Sequence, residues 1–419
     1  MLSQSTKVYK SLIKQFSRRI NLSLERMEKA LTLLGFPHLE LPNPINILGS
    51  DGKFSTLTSL KYFLEAHKKK VTAYTSPHLF SVVQRFWLKN RYISLKEILK
   101  YKKQVEAVNV KLTLFELLTC IYFLAAREQK GIYASLVEAG LLMKFDGGNV
   151  FTEPKAQIIT NINKQHLEWV HPKTLAEICR QKCGSLSNNT TIYVAKQKPK
   201  TLKIIKNILK KNKSKIIYAS NYQVKKVKDY YVYKDSKNII PIKSKYIFSE
   251  GLINNVGTSI KVALDLGVPR KTIIKTIPKI SFEGRIQYLT KGKFKKLLNK
   301  QEELLIDGCH SQASAENLYH YLKTITKPIY AIWGMQKNKV PETFIKVFKG
   351  LFKKVVTVTI PNEPNAAKAE DLKVISQKYF PTSSAKNIQS AIKQISSKEE
   401  KVLVIVGSLY LVGYVLGNN

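Results

Sequence analysis

The sequence predicts an α/β protein in two parts: a larger domain with a mostly parallel sheet, followed by a smaller, Rossmann-like α/β domain. Three observations predict it. The chain has 419 residues, enough for two or three domains with cores of their own. Apolar, strand-like runs alternate with helix-like stretches, the pattern of strands joined by crossover helices. After Gly267-Val268-Pro269 this alternation starts again. The division is expected at residues 276/277, giving domains over 1–276 and 277–419.

In the first part, Ile45–Leu48, Val71–Thr75, Tyr133–Glu138 and Ile158–Ile162 read as strands, because β-branched and aromatic residues run together between turn residues. Ser55–Ala66 and Thr113–Glu128 have the amphipathic spacing of helices. Residues 190–250 differ: Thr191–Val194, Lys215–Ala219 and Tyr230–Tyr233 are short β-like runs broken by lysines. In the second part, Glu303–Ile306, Pro328–Trp333, Lys354–Thr359 and Val402–Val406 read as strands separated by helical stretches. No internal repeat and no low-complexity linker is visible.

Composition removes several classes. Hydrophobic residues make up 44% and aromatics 10%, so disorder is excluded. No window of about 18 uninterrupted apolar residues exists, which argues against a membrane partner. The start, MLSQSTKVYKSLIKQF, has no apolar core segment and no small-residue cleavage site, so a cytoplasmic protein is expected. Cys120, Cys179, Cys183 and Cys309 make neither a CxxC pair nor a zinc spacing, which fits a reducing compartment. Cys179 and Cys183 share a helix face and read as core.

The net charge is +41. A strong positive charge suggests an anionic partner, nucleic acid among the candidates. The cations are 61 lysines and only 9 arginines, spread along the chain. Specific base and phosphate recognition favours the arginine fork, so no specific nucleic acid is expected. A positive surface also draws in small anions.

The strongest local signal is Ile45-Asn46-Ile47-Leu48-Gly49-Ser50-Asp51-Gly52-Lys53-Phe54-Ser55-Thr56. A strand enters a glycine-bounded turn, and Lys-x-Ser opens a helix. Turn and helix-start N–H groups can then wrap phosphate oxygens. Lys53 can reach the β- and γ-phosphates of ATP, and the Ser55 hydroxyl can ligate Mg²⁺. The spacing is shorter than the usual phosphate-loop form, and a plain glycine turn with a surface lysine is the alternative. Glu138 ends a strand, where ligands bind in open α/β sheets, and a carboxylate there can hold Mg²⁺. Asp146 and Asn149 follow in the same loop, and His166 lies just past another strand.

These pieces, in this order, resemble the folylpolyglutamate synthase / dihydrofolate synthase family of the Mur ligase superfamily. Gly49–Ser55 is similar to the family loop Gly-Thr-Asn-Gly-Lys-Gly-Ser. Leu24-Glu25-Arg26-Met27 and Pro37-His38-Leu39 resemble its N-terminal segment. Tyr74-Thr75-Ser76-Pro77-His78-Leu79 matches its Ser-Pro-His-Leu loop, and Thr113-Leu114-Phe115-Glu116 its Thr-x-Phe-Glu helix start. Glu138–Asn149 aligns with Glu-Val-Gly-Leu-Gly-Gly-Arg-Leu-Asp-Ala-Thr-Asn. His166 falls on an Asp-His pair, and Arg180–Gly184 on Glu-Lys-Ala-Gly. In the second domain Phe282-Glu283-Gly284-Arg285 resembles Pro-Gly-Arg, Asp307-Gly308-Cys309-His310-Ser311 resembles Asp-Gly-Ala-His-Asn, and Gly407–Gly413 resembles the closing Gly-Ser-x-Tyr-Leu-Val-Gly.

The resemblance implies an ATP-dependent carboxylate–amine ligase that adds L-glutamate to dihydropteroate, to a reduced folate, or to both. An acyl phosphate is the expected intermediate. It implies that Gly49, Ser50, Asp51, Gly52, Lys53, Phe54 and Ser55 bind ATP, with Arg285, Asp307 and His310 from the second domain. Ser55, Glu138 and His166 are the implied ligands of Mg²⁺, one ion or two. Ser76, Pro77, His78 and Asp146 are implied on the folate side. Lys53, His166 and Lys182 are the implied catalytic groups, with Lys182 carbamylated. A monomer is expected.

The chain also departs from the pattern. Phe54 replaces a glycine, Leu142-Met143 a Gly-Gly pair, Lys144 an arginine, Gln165 the Asp before His166, and Ser311 an Asn. A Gln and an Asn near the end of the family's first domain fall on Asn254 and Gly257. Two other functions compete with this one: a Mur-type amino-acid ligase with another carboxylate substrate, and a basic nucleic-acid-binding ATPase. The Ser76–Leu79 loop and the Gly407–Gly413 ending argue against the first. The absence of arginine-rich, aromatic-interleaved patches argues against the second.

Overall fold

The computed structural model describes residues 4–16, 22–227, 230–244, 246–247 and 249–419. The chain divides into two compact units, Met1–Ser244 with Gly251–Ile280, and Lys245–Glu250 with Ser281–Asn419. The sequence places the division at 276/277. In the structure a 3-10 turn, Ile277–Lys279, extends the helix Arg270–Thr276, and Ile277 and Ile280 are buried, so the first unit keeps these residues.

The first unit holds eight strands in one sheet: β1 Pro44–Leu48, β2 Val71–Tyr74, β3 Phe86–Lys89, β4 Arg91–Tyr92, β5 Ala134–Glu138, β6 Ala156–Ile159, β7 Thr191–Val194 and β8 Lys215–Tyr218. Their order is β4-β3-β2-β5-β1-β6-β7-β8. Pairing is parallel from β2 to β8, while β3 and β4 form an antiparallel edge. The central strands are buried on both faces, which is why they read as nearly continuous apolar runs. Helices cover both faces. Several start on side-chain caps: Ser94 accepts from the N–H of Glu97, and Thr113 from that of Glu116.

The lysine-broken region 190–250 contributes two things. β7 and β8 extend the main sheet around the helix Pro199–Leu209. A separate antiparallel sheet follows, made of β9 Tyr222–Val227, β10 Tyr230–Asp235 and β11 Ile239–Ile242. The strand expected over Ile158–Ile162 ends at Ile159. There Thr160 turns back on β1, and both its N–H and its hydroxyl donate to the Leu48 carbonyl, at 2.8 and 3.0 Å.

The second unit is a six-stranded sheet: β12 Gln287–Tyr288, β13 Glu302–Asp307, β14 Ile329–Trp333, β15 Phe352–Val358, β16 Thr382–Ala385 and β17 Lys401–Val406. The order is β12-β13-β17-β14-β15-β16, parallel except for β12. Leu305, Ala331, Trp333, Val355 and Val404 supply the sheet side of its core, against Leu318, Phe344 and Phe348 of the covering segments.

Candidate active site

Parallel strands place their C-terminal ends on one edge, and the candidate residues of the first unit gather there. Ile47 of β1 pairs with Glu138 of β5, and Leu48 with Ile159 of β6. Gly49 therefore leaves the sheet with Glu138–Ala139 on one side and Thr160–Asn161 on the other. A side chain at Gly49 would lie 2.1 Å from the Thr160 hydroxyl, and its φ of 143° also favours glycine. Gly52 has φ 91°, and a β-carbon there would lie 2.7 Å from the Asn255 amide.

The loop is bonded to the segment after β6. The N–H groups of Ser50 and Asp51 donate to the Asn161 carbonyl at 2.8 and 3.2 Å. Asn163 N–H donates to the Ser50 hydroxyl at 3.1 Å. The helix Lys53–Ala66 then begins on Gly52 with no side-chain cap and no acid in its first turn. Its N-terminal donors and partial positive charge thus face the loop, an arrangement suited to an anion. Lys53 Nζ rests 3.3 Å from the carbonyls of both Gly49 and Ser50. Ser55 Oγ donates to the Gly52 carbonyl at 3.1 Å and accepts from Asn255 Nδ2 at 2.8 Å.

Lys182 reaches this loop from the last turn of the helix Leu175–Cys183, and it is 2% exposed. Its amine donates to the carbonyls of Gly49 at 3.0 Å and Leu141 at 2.6 Å. Burial, with the Lys53 charge nearby, brings its pKa down to about 7. The two lysines that the motifs single out thus converge on one carbonyl.

Glu138, 3% exposed, accepts from Ser76 N–H at 3.2 Å, which ties β5 to the Ser76–Leu79 loop. His78 in that loop accepts at Nδ1 from Arg85 Nε at 3.0 Å and meets the Tyr9 ring edge-on. Ser76–Pro77 is a cis peptide. His166 has φ 64° and precedes the 3-10 turn Leu167–Trp169; its Nδ1 lies 3.9 Å from Glu168. Asp146 braces its own loop: Oδ2 accepts from the N–H groups of Gly140 and Leu141, and Oδ1 from that of Gly148. Burial raises its pKa, and these bonds work against the rise.

Leu142 and Met143, which stand in place of a glycine pair, are buried in one apolar cluster with Ile178, Cys179 and Cys183. Phe115 fills the space beside Gly140, where a β-carbon would lie 2.7 Å from its ring. Among the described residues no cluster of three His, Cys, Asp or Glu side chains forms a metal site. The donors on this edge are a hydroxyl, a carboxylate and an imidazole on separate elements.

The second unit has a parallel cluster at the end of β13. Asp307 Oδ2 accepts from Ile286 N–H and Oδ1 from Cys309 N–H, both at 2.8 Å. Arg285 Nη1 donates to the Gly284 carbonyl at 3.0 Å, and a β-carbon at Gly308 would lie 2.9 Å from it. His310 Nδ1 lies 3.0 Å from the Gly308 carbonyl. Ser311, in place of an Asn, caps the helix Gln312–Leu322 through Ser314. Sequence reasoning missed Thr160, Asn161 and Asn255. Asn255 sits next to Asn254, on which a family residue falls, and only the phase of the helix Glu250–Asp265 turns it toward Ser55.

A glycine-bounded loop, an uncapped helix start and two convergent lysines give this α/β protein, at a parallel-sheet edge, a site suited to an anion. Residues 290–418 match the family model described as dihydrofolate synthetase, C-terminal domain. The chain is similar to the dihydrofolate synthetase of Saccharomyces cerevisiae, with 24% identity over 420 residues covering 95% of this chain and 97% of that protein. Its fold is that of E. coli FolC in complex with DHPP and ADP, at a TM-score of 0.85 and 20% identity, covering 99% and 97% of the two chains. It is equally that of a bifunctional folylpolyglutamate synthase/dihydrofolate synthase with Mn, AMPPNP and L-glutamate bound, at a TM-score of 0.83 and 19% identity, covering 99% of each. Over nearly its whole length the chain is thus similar to members of the folylpolyglutamate synthase / dihydrofolate synthase family.

Proposed function

We propose that this protein is an ATP-dependent carboxylate–amine ligase that joins L-glutamate to dihydropteroate, to a reduced folate, or to both, as a cytoplasmic monomer. The observation that carries the reading is the Gly49–Ser55 loop, whose uncapped helix start and resting Lys53 leave donors for a triphosphate. In the reaction a carboxylate oxygen of the pterin substrate attacks the γ-phosphorus, and the bond to the β–γ bridging oxygen breaks. The acyl phosphate then accepts the glutamate amine at its carbonyl carbon, and phosphate leaves.

Little covalent work falls to the protein; it holds the reactants and stabilises charge. Lys53 exchanges the Gly49 and Ser50 carbonyls for phosphate oxygens. Ser55, Glu138 and His166 would hold Mg²⁺, one ion or two, whose role is to neutralise phosphate charge and orient the carboxylate. Asn255 keeps Ser55 in place, and the Ser76–Leu79 loop and Asp146 flank the pterin side. Arg285, Asp307 and His310, clustered at the end of β13, are the second unit's candidates for nucleotide binding.

A pKa of about 7 supports the carbamate at Lys182, because the neutral amine is the form that adds CO₂. The resulting anion would offset the Lys53 charge. The deciding experiment is ADP release by the purified protein with glutamate and either dihydropteroate or tetrahydrofolate. Glutamate-dependent release with one of the two is expected. No release with either overturns the proposal.

A further inference from the structure

The phosphate loop carries an acid, Asp51, where an anionic ligand would approach. A carboxylate there opposes such a ligand unless donors take up its charge. Two side-chain amides do so: Asp51 Oδ2 accepts from Asn163 Nδ2 at 2.5 Å and from Gln165 Nε2 at 3.0 Å. Both amides lie on the stretch whose backbone already bonds the loop through Asn161 and Ser50. His166 follows directly.

In the family motifs that the sequence resembles, Asn falls on position 51 and Asp on position 165. Acid and amide have changed places, and the pair 51–165 still holds one acceptor and one donor. We propose that Asp51, Asn163 and Gln165 form a positioning clasp that fixes the phosphate loop to the His166 segment, and that the exchange across it is compensated. The inference rests on the ligase reading above. One clasp then sets both where the phosphates lie and where the histidine leaves the sheet, so a mismatch at 51–165 is felt as a metal–nucleotide defect.

The test is a double-mutant cycle read by calorimetric titration of Mg-ADP and by melting temperature. Gln165→Asp removes the amide donor and turns a second carboxylate toward Asp51, and weakens Mg-ADP binding roughly tenfold or more. Asp51→Asn weakens it only about threefold, as charged bonds become neutral ones. The double variant returns to within about threefold of the starting protein, a coupling that independent sites do not show. The Mg²⁺ concentration for half-maximal ADP binding rises in Gln165→Asp and recovers in the double variant. A clasp that only stabilises the fold would move the melting temperature and leave that Mg²⁺ dependence unchanged.

A double variant as weak as Gln165→Asp, or a Gln165→Asp variant equal to the starting protein, overturns the inference. If Gln165→Asp does not fold, a folded, ADP-binding double variant supports the proposal and an unfolded one overturns it. If the unmodified protein binds no ADP, the ligase reading falls and takes the inference with it.

Discussion

Burial and the Lys53 charge hold Lys182 at a pKa of about 7, against an ordinary lysine value of 10.5. Between these two values the unfolded chain binds a proton that the folded protein lacks, so stability rises with pH across that window. The cost of burying the charged amine is fully present below pH 7 and fades toward pH 10.5. Lys182→Met removes the titration along with the two carbonyl bonds. In carbonate-free buffer, the melting temperature of the variant relative to the original should therefore fall steadily from pH 7 to pH 10. A pH-independent difference would show that Lys182 does not titrate as its surroundings dictate. Lys53 stands out in the sequence because a glycine-bounded turn carries it, whereas Lys182, one lysine among 61, stands out only through the family resemblance of its flanking residues. Asn255 does not stand out, because adjacent asparagines on a helix differ only in the direction they face, which the packing decides.

Glu116 closes the capping box of the helix Leu114–Arg127 by accepting from Thr113 N–H at 2.7 Å, and it pairs with Arg26 at 2.8 Å. Glu116 is nearly buried and Arg26 mostly so. Glu116→Ala removes a cap and leaves Arg26 without this carboxylate, at a cost of roughly 2–4 kcal/mol. Glu116→Gln keeps an acceptor for the cap and should cost less. Chemical denaturation of both variants checks the order. The strands with crossovers were legible because burial on two faces makes continuous apolar runs. β4 and β12, two residues each, carry too little pattern, and of the half-solvated antiparallel partners β9 is broken by Gln223, Lys225 and Lys226 and β11 by Pro241.

At the scale of the whole molecule the +41 charge remains the feature least tied to the site. Some lysines are paired at the surface: Lys327 lies 2.6 Å from Glu303 and 2.7 Å from Glu400. Such exposed pairs contribute little to stability. With 61 lysines spread along the chain, DNA binding should be weak and sequence-independent, falling at least about tenfold between 50 and 200 mM salt. Sequence-selective, nanomolar binding at physiological salt would show a recognition surface instead. Among the described residues no helix is long and apolar enough to cross a membrane.

The loop between β5 and β6 is irregular in path, yet it is anchored on both sides. Leu142 and Met143 are sunk in the apolar cluster of the Leu175–Cys183 helix, and Asp146 gathers the N–H groups of Gly140, Leu141 and Gly148. To release any of these amides to water, the segment would have to pull two large side chains out of the core, so its opening is tied to that of the core. In hydrogen–deuterium exchange these three amides should keep their protons about as long as those of the neighbouring strands. A glycine pair at 142–143 would have let the segment breathe on its own; in this chain it is a fixed wall.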